Sequence, residues 1–269
     1  MTHPIAHLFD DFLRYITLSD SEKAIALEQG RRLSRRIEQR PEVRECLITG
    51  SMTRSTAIRK FSDVDIVAVI ESENKLAQAD SATLVAAVAT ILRETEPHVE
   101  VSENAVRVVY EECVTVDVLA GIYTGTNSTD DDVYRIPTSN QEGWETYAPE
   151  EQSRRIREAT EFFGDDFKKL IRLCKWWSKT HDQPVSSHDI ELIAFNSFTD
   201  DIPELPRALI EMFNAIEHSI DTGSPKMPIL LKSKSIATEA YSSWQSGDAQ
   251  KSIELWRRLF GDRFPTVIA

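Results

Sequence analysis

A mixed α+β fold, with a sheet flanked by helices in the first half and a helical bundle in the second, is predicted by three observations. Short β-branched runs recur at Asp63–Ile70, Ala105–Tyr110 and Thr115–Ala120. From Glu150 onward the pattern turns helical and stays so. A capping-box sequence, Ser19-Asp20-Ser21-Glu22, opens a helix ahead of the first strand. These place a sheet-bearing domain at residues 1–140, with an N-terminal long helix, and a C-terminal helical domain at 141–269.

Taken in order, the first helix runs from the capping box to about Arg40, where Pro41 stops it. Cys46-Leu47-Ile48-Thr49 is a short strand before Gly50, and Thr53 to Lys60 can form one short helix. Asp63 to Ile70 reads as a central strand, apolar apart from its two acids. Ala79 to Thr95 is alanine-rich and helical, and Val99–Val101, Ala105–Tyr110 and Thr115–Ala120 supply further strands. Asp130-Asp131-Asp132 reads as a solvated loop and Gly143–Pro149 as another. Helices are then expected at Gln152–Phe163, Phe167–Thr180, Ser187–Asn196, Pro206–His218, Lys234–Ser246 and Ala249–Phe260.

The bulk numbers narrow the function. The 269 residues suffice for a sizeable core, and the net charge of −13 argues against a broad duplex-binding surface, which needs clustered positive charge. Arg31, Arg32, Arg35, Arg36 and Arg40 line one side of the first long helix, and a solvated face balanced by local acids is the favoured reading over a nucleic-acid contact. The three cysteines, Cys46, Cys113 and Cys174, lie in apolar runs without metal-ligand spacing, which reads as buried thiols in a reducing, cytoplasmic setting. No apolar run approaches a membrane span and no signal peptide is evident, so no membrane partner is expected.

The informative residues are acids inside apolar strands. Asp63 and Asp65 stand two apart, so they project from the same face of their strand. Two adjacent carboxylates repel, and a divalent cation removes that penalty; Mg²⁺ prefers such oxygen ligands and keeps positions open for phosphate. Asp117, alone in Val-Thr-Val-Asp-Val-Leu, offers the third acid of a site for two Mg²⁺ ions, with Mn²⁺ a substitute. Gly50 lets a phosphate approach the backbone, and Ser51 opens a helix whose free amides and hydroxyl favour an anion. The competing account of these acids is surface positions in loops misread as strands.

The order Gly50-Ser51, spacer, Asp63-Val64-Asp65, then Asp117 resembles the nucleotidyltransferase superfamily of DNA polymerase β type. The wider string Gly50–Ile58 is similar to the branch containing oligoadenylate synthetase, cyclic GMP-AMP synthase and the bacterial CD-NTases. Tyr134–Pro137, Gly143–Pro149, Leu170–Trp177 with Ser187–Glu191, and the closing stretch Ala249–Pro265 resemble later elements of that branch. The likeness implies that Lys175 and Ser187 hold the donor triphosphate together with Gly50 and Ser51. A solvated position for Lys175 and a helix cap for Ser187 are the plain alternatives, and Ser186 competes with Ser187 for the role. Trp176 and Trp177 read as core, and His188 as a surface or capping residue.

The resemblance further implies synthesis of a cyclic di- or trinucleotide messenger from NTPs in bacterial anti-phage (CBASS) signalling, with a downstream effector that reads the product. It also raises an operon-encoded conjugating partner acting at the C-terminus. Transfer of a single nucleotide to RNA or a small molecule, and a catalytically inactive nucleotide-binding relative, are the other readings.

Overall fold

The computed structural model describes residues 4–102, 104–110, 114–221 and 223–266. Cys113 and the last three residues of the tail therefore lie outside the described residues. The chain forms two compact units, each discontinuous in sequence: a sheet unit of residues 19–55 and 62–154, and a helical unit of 1–18, 56–61 and 155–269. The mixed α+β class expected from the sequence is what the chain adopts. The division differs from the expected cut at 140, because residues 141–154 carry a last strand of the sheet and residues 4–16 form a helix packed in the helical unit.

In the sheet unit, helix α2 (Asp20–Ile37) starts at the expected capping box: Ser19 Oγ accepts from the Glu22 amide, and the Glu22 carboxylate accepts from the Ser19 amide. Its buried face is Ala26, Gly30, Leu33, Ser34 and Ile37, and it approaches the sheet where a Cβ on Gly30 would meet Val64 Cγ1 at 2.7 Å. Strands β1 (Val43–Thr49), β2 (Val64–Ile70), β3 (Val99–Ser102), β4 (Ala105–Val109) and β5 (Thr115–Thr126) pair in the order β1-β2-β5-β4-β3. β2 and β5 run parallel; the other pairs are antiparallel. β2 is thus central, as its apolar composition indicates, with Val64 and Ile66–Ile70 all buried.

Helix α3 (Gly50–Arg54) lies earlier than the expected helix at Thr53–Lys60. Ser55 adopts the left-handed conformation (φ 58°) and ends α3, and Ala57 and Ile58 are buried. Helix α4 (Ser81–Arg93) is capped by Asp80 and follows a 3₁₀ turn at Lys75–Gln78. Strands β6 (Asp132–Pro137) and β7 (Trp144–Tyr147) extend the sheet from β5. The stretch Gly143–Pro149, expected as loop, therefore contains a strand, held by the Arg135 guanidinium over the Trp144 ring at 4.5 Å. Asp131 is not merely solvated: Arg154 donates to it at 2.9 Å.

The arginine-rich face of α2 is met by local acids. Arg31, Arg32 and Arg35 gather on Glu28, while Arg36 and Arg40 pair with Glu96 and Glu94 just past α4. Cys46 is only half-buried, yet burial and then Glu38 and Glu45 push its thiol up to about 12, so the thiolate is scarce at neutral pH.

The helical unit contains α1 (Pro4–Ile16), α5 (Pro149–Phe163) from Arg155 onward, α6 (Asp166–Thr180), α7 (Ser187–Ser197), α8 (Leu205–Ser219), α9 (Met227–Gln245) and α10 (Ala249–Phe260). Its core is aromatic: Phe9 and Phe12 of α1 meet Trp256, Phe260 and Phe264 with ring centroids 5.0–6.0 Å apart. Trp176 and Trp177 are core residues as expected, and their indole N–H groups donate to the Phe260 carbonyl and to Ser233 Oγ. α9 begins seven residues before the expected start at Lys234, with Pro228 in its first turn. Among the described residues no helix is long and apolar enough to cross a membrane.

Candidate active site

Register builds one row of side chains across the five-stranded part of the sheet. Thr49 pairs with Asp65, Asp65 with Asp117, Asp117 with Arg107, and Arg107 with Glu100. Cross-strand partners share a face, so this row presents hydroxyl, acid, acid, guanidinium and acid side by side. Charges alternate along it except between Asp65 and Asp117, where two carboxylates stand directly opposite. Like charges directly opposite one another destabilise a sheet.

Asp63 immediately precedes β2 and joins the group through β5 and β4. Thr115 Oγ1 donates to Asp63 Oδ1, and Arg107 Nη2 donates to its Oδ2 at 3.1 Å. Arg107 also grips Asp117 with two bonds, Nε to Oδ1 at 2.8 Å and Nη2 to Oδ2 at 2.7 Å. The Asp117 carboxylate, with Asp63 and Glu100, holds the guanidinium more firmly charged than usual, against an opposing effect of burial. Arg107 is not among the residues expected from the sequence to build the site. Its signal is a lone charge in Ala-Val-Arg-Val-Val, which needs a partner as much as the acids do.

Gly50 is required twice over. Its φ is +82°, and a Cβ built on it would fall 1.7 Å from Asp65 Oδ2. The Asp65 carboxylate thus lies in the space that glycine leaves. Ser51 follows, half-buried, in the first turn of the five-residue α3. Thr49, at the N-cap, hydrogen-bonds the Tyr147 hydroxyl at 3.2 Å and does not cap the helix. Burial pushes the Tyr147 hydroxyl up, and the nearby Asp65 adds to that effect. Gly50→Ala is expected to cost about 1–3 kcal/mol from backbone strain alone and to displace Asp65; urea unfolding measures the first, and a Gly50→Ala protein as stable as the parent would contradict it.

Asp63, Asp65 and Asp117 are therefore brought to one face of the sheet unit beside Gly50 and Ser51. Their donor chemistry, carboxylate oxygen only, suits Mg²⁺ or Mn²⁺. The space that a Cβ on Gly50 would take is occupied by the Asp65 carboxylate, and the cation seen among these acids is the protein's own Arg107 guanidinium. In this arrangement Asp65 leans on Gly50 while Asp117 and Asp63 are turned onto Arg107. Among the described residues no three His, Cys, Asp or Glu side chains converge closely enough to hold a metal ion.

Lys175 and Ser187 lie in the helical unit. Lys175 is 2% exposed, and its Nζ donates to Glu191 Oε1 at 2.6 Å and to Thr56 Oγ1 at 3.1 Å. Glu191, equally buried, also accepts from Thr56 Oγ1. The solvated position open to Lys175 on sequence grounds is not what the fold gives it. Ser187 is the first residue of α7, and the cap is Ser186, whose Oγ accepts from the Asp189 amide at 3.0 Å. His188 is exposed beside it.

The sequence pattern of the SMODS family, described as the Second Messenger Oligonucleotide or Dinucleotide Synthetase domain, matches residues 1–159. The chain belongs to the SMODS family. A curated relative of this SMODS chain is the probable cyclic AMP-AMP-GMP nucleotide synthase of Salmonella paratyphi B, 23% identical over 159 residues. The match covers 48% of this chain and 42% of that protein, so the chain spans less than half the relative's length. Among solved structures, CdnC of E. coli MS115-1 with ATP has a TM-score of 0.79 at 17% identity, covering 98% of this chain and 99% of that one. The Bradyrhizobium diazoefficiens CD-NTase CdnG with GTP has a TM-score of 0.74 at 14% identity, covering 98% and 96%. At these identities the likeness establishes that this SMODS chain has the CD-NTase fold, of polymerase β type, as its motif order implied.

Proposed function

We propose that the chain is a nucleotidyltransferase that joins nucleoside triphosphates into a cyclic di- or trinucleotide second messenger, releasing pyrophosphate. The observation that carries this is the opposition of Asp65 and Asp117 on parallel neighbouring strands, with Asp63 on the same face and Gly50 against Asp65. Arg107 meets the charge of Asp117, and acids gathered in one row of an apolar sheet support the reading of a site for a cationic ligand. Divalent ions held by Asp63, Asp65 and Asp117 would polarise the attacking ribose hydroxyl and offset charge on the departing pyrophosphate.

The chain's own residues set the rest. Asp65, seated on Gly50, fixes its carboxylate relative to the first turn of α3, where the Gly50 and Ser51 amides and the Ser51 hydroxyl can receive triphosphate oxygens. Each transfer forms a bond from ribose oxygen to the α-phosphorus and breaks the bridge to the β-phosphate; the hydroxyl proton goes to solvent. Lys175 and Ser187 are assigned to the triphosphate by the family likeness. For Lys175 the assignment requires that phosphate replace Glu191 as partner of its ammonium. By the same likeness the product serves bacterial anti-phage signalling through an effector that binds it, and a conjugating partner would act on the tail.

Incubation of the pure protein with Mg²⁺ and all four NTPs, followed by mass spectrometry, tests the reading. A cyclic oligonucleotide is expected; label found only on an added RNA or small-molecule acceptor would replace this reading with single-nucleotide transfer.

A further inference from the structure

We propose that Arg107 is the protein's own counter-cation for the acidic cluster and competes with divalent metal for Asp117, so that the cluster takes up metal with a nucleoside triphosphate and resists taking it up alone. The inference rests on the metal reading of Asp63, Asp65 and Asp117.

The competition follows from the hydrogen bonds. The guanidinium engages both oxygens of Asp117 and one of Asp63. A bidentate guanidinium–carboxylate pair is strong and directional. A divalent ion brought to the same oxygens meets a fixed positive charge a few ångströms away, a repulsion that weakens its binding whether or not the arginine moves. Arginine does not lose its proton at any ordinary pH, so only displacement relieves this. A triphosphate changes the balance, because it brings negative charge with the metal and offers the ion further oxygen ligands.

Displacement has a destination. Arg107 is 33% exposed, so its side chain has room to swing. On its other flank, in direct register on β3, stands Glu100, exposed and already contributing to the arginine's charge stabilisation. Arg107 thus sits between two acids in one row: Asp117, which it holds in this structure, and Glu100, toward which it would turn as metal arrives. Two variants should therefore act in opposite directions. Arg107→Met removes the competitor and keeps an apolar stem of similar length. Glu100→Gln removes the alternative partner and leaves Arg107 more firmly on Asp117.

The test is Mn²⁺ titration of the nucleotide-free protein, with free Mn²⁺ read by electron paramagnetic resonance and folding verified by circular dichroism. Arg107→Met is expected to bind Mn²⁺ about five- to twentyfold more tightly than the parent, as loss of a partly exposed charge interaction implies. Glu100→Gln is expected to bind it ~2–5-fold more weakly. Asp117→Asn in the Arg107→Met background should abolish the gain. Mn²⁺ affinity in Arg107→Met equal to or weaker than the parent's overturns the proposal, since a positioning arginine would give that result. Where Arg107→Met does not fold, Glu100→Gln decides: unchanged or tighter binding overturns it. If Mn²⁺ binding depends on Asp117 but ignores Arg107 and Glu100, the competition alone fails; if it ignores Asp117 as well, the metal reading fails with it.

Discussion

Asp65→Asn is expected to cut product formation by about a thousandfold or more while making the metal-free protein slightly more stable. The two effects share one cause. Asp65 is the register neighbour of Asp117, and Thr49 is its register neighbour on the other side. Removing one of two facing negative charges relieves part of their repulsion, the part that the Arg107 guanidinium on Asp117 leaves uncompensated. Asparagine keeps the shape that fits against Gly50, so the change is one of charge rather than packing. The same charge is what a divalent ion requires. Losing a ligand of that ion forfeits several kcal/mol of transition-state stabilisation, and every 1.36 kcal/mol is about a factor of ten in rate. Urea unfolding in chelator should show the gain. Adding Mg²⁺ should stabilise the parent through mass action but leave the variant behind. A variant that keeps product formation within tenfold, or that unfolds more easily in chelator, would contradict the assignment.

That trade explains why the acids are legible in the sequence. Local rules fail where function overrides them, and an acid amid Val and Ile is such a failure. Asp63, Asp65 and Asp117 break the apolar pattern of their strands, and those strands lie within a residue or two of the expected positions, at Val64–Ile70 and at the start of β5. Arg107 breaks its strand's pattern in the same way, and the register sets it directly on Asp117. Helix α1 is not among the expected elements, although Ile5, Leu8, Phe9, Phe12, Leu13 and Ile16 repeat at helical spacing and are all buried. Other features are not in the local sequence at all. The left-handed turn at Ser55 that ends α3 occurs at a residue type that rarely adopts it, so the local pattern puts the helix too late. β7 has four residues and takes its conformation from pairing with β6, not from its own propensity. Nothing in Leu-Cys-Lys-Trp-Trp shows which side of α6 faces inward, so the burial of Lys175 is visible only with its partner sixteen positions on.

Glu191→Ala should lower the unfolding free energy by about 3–5 kcal/mol, because it removes the carboxylate that pairs with a buried ammonium. Lys175 and Glu191 expose 2% and 1% of their side chains, and Nζ lies 2.6 Å from Oε1. Thr56 completes the set: its hydroxyl donates to Glu191, and both its hydroxyl and its carbonyl accept from Lys175. With Glu191 gone, Lys175 keeps only the neutral oxygens of Thr56 among these contacts, while the cost of removing its charge from water stays undiminished. The pair itself need not be worth that much. Replacing both members together, as Lys175→Met with Glu191→Leu, removes the desolvation cost along with the attraction and should come within about 1–2 kcal/mol of the parent. The double variant being more stable than Glu191→Ala is the decisive result, because a simple loss of packing at Glu191 would make the second substitution neutral or worse. Denaturant unfolding of the parent, Lys175→Met, Glu191→Ala and the double variant measures it, and a loss below about 1 kcal/mol in Glu191→Ala would show that water reaches Lys175. The same series bears on function. If Lys175 serves the triphosphate, Lys175→Met with Glu191→Leu will fold and still raise the KM for NTP; if the lysine serves only to pair with Glu191, the refolded double variant will turn over NTP with the parent's KM.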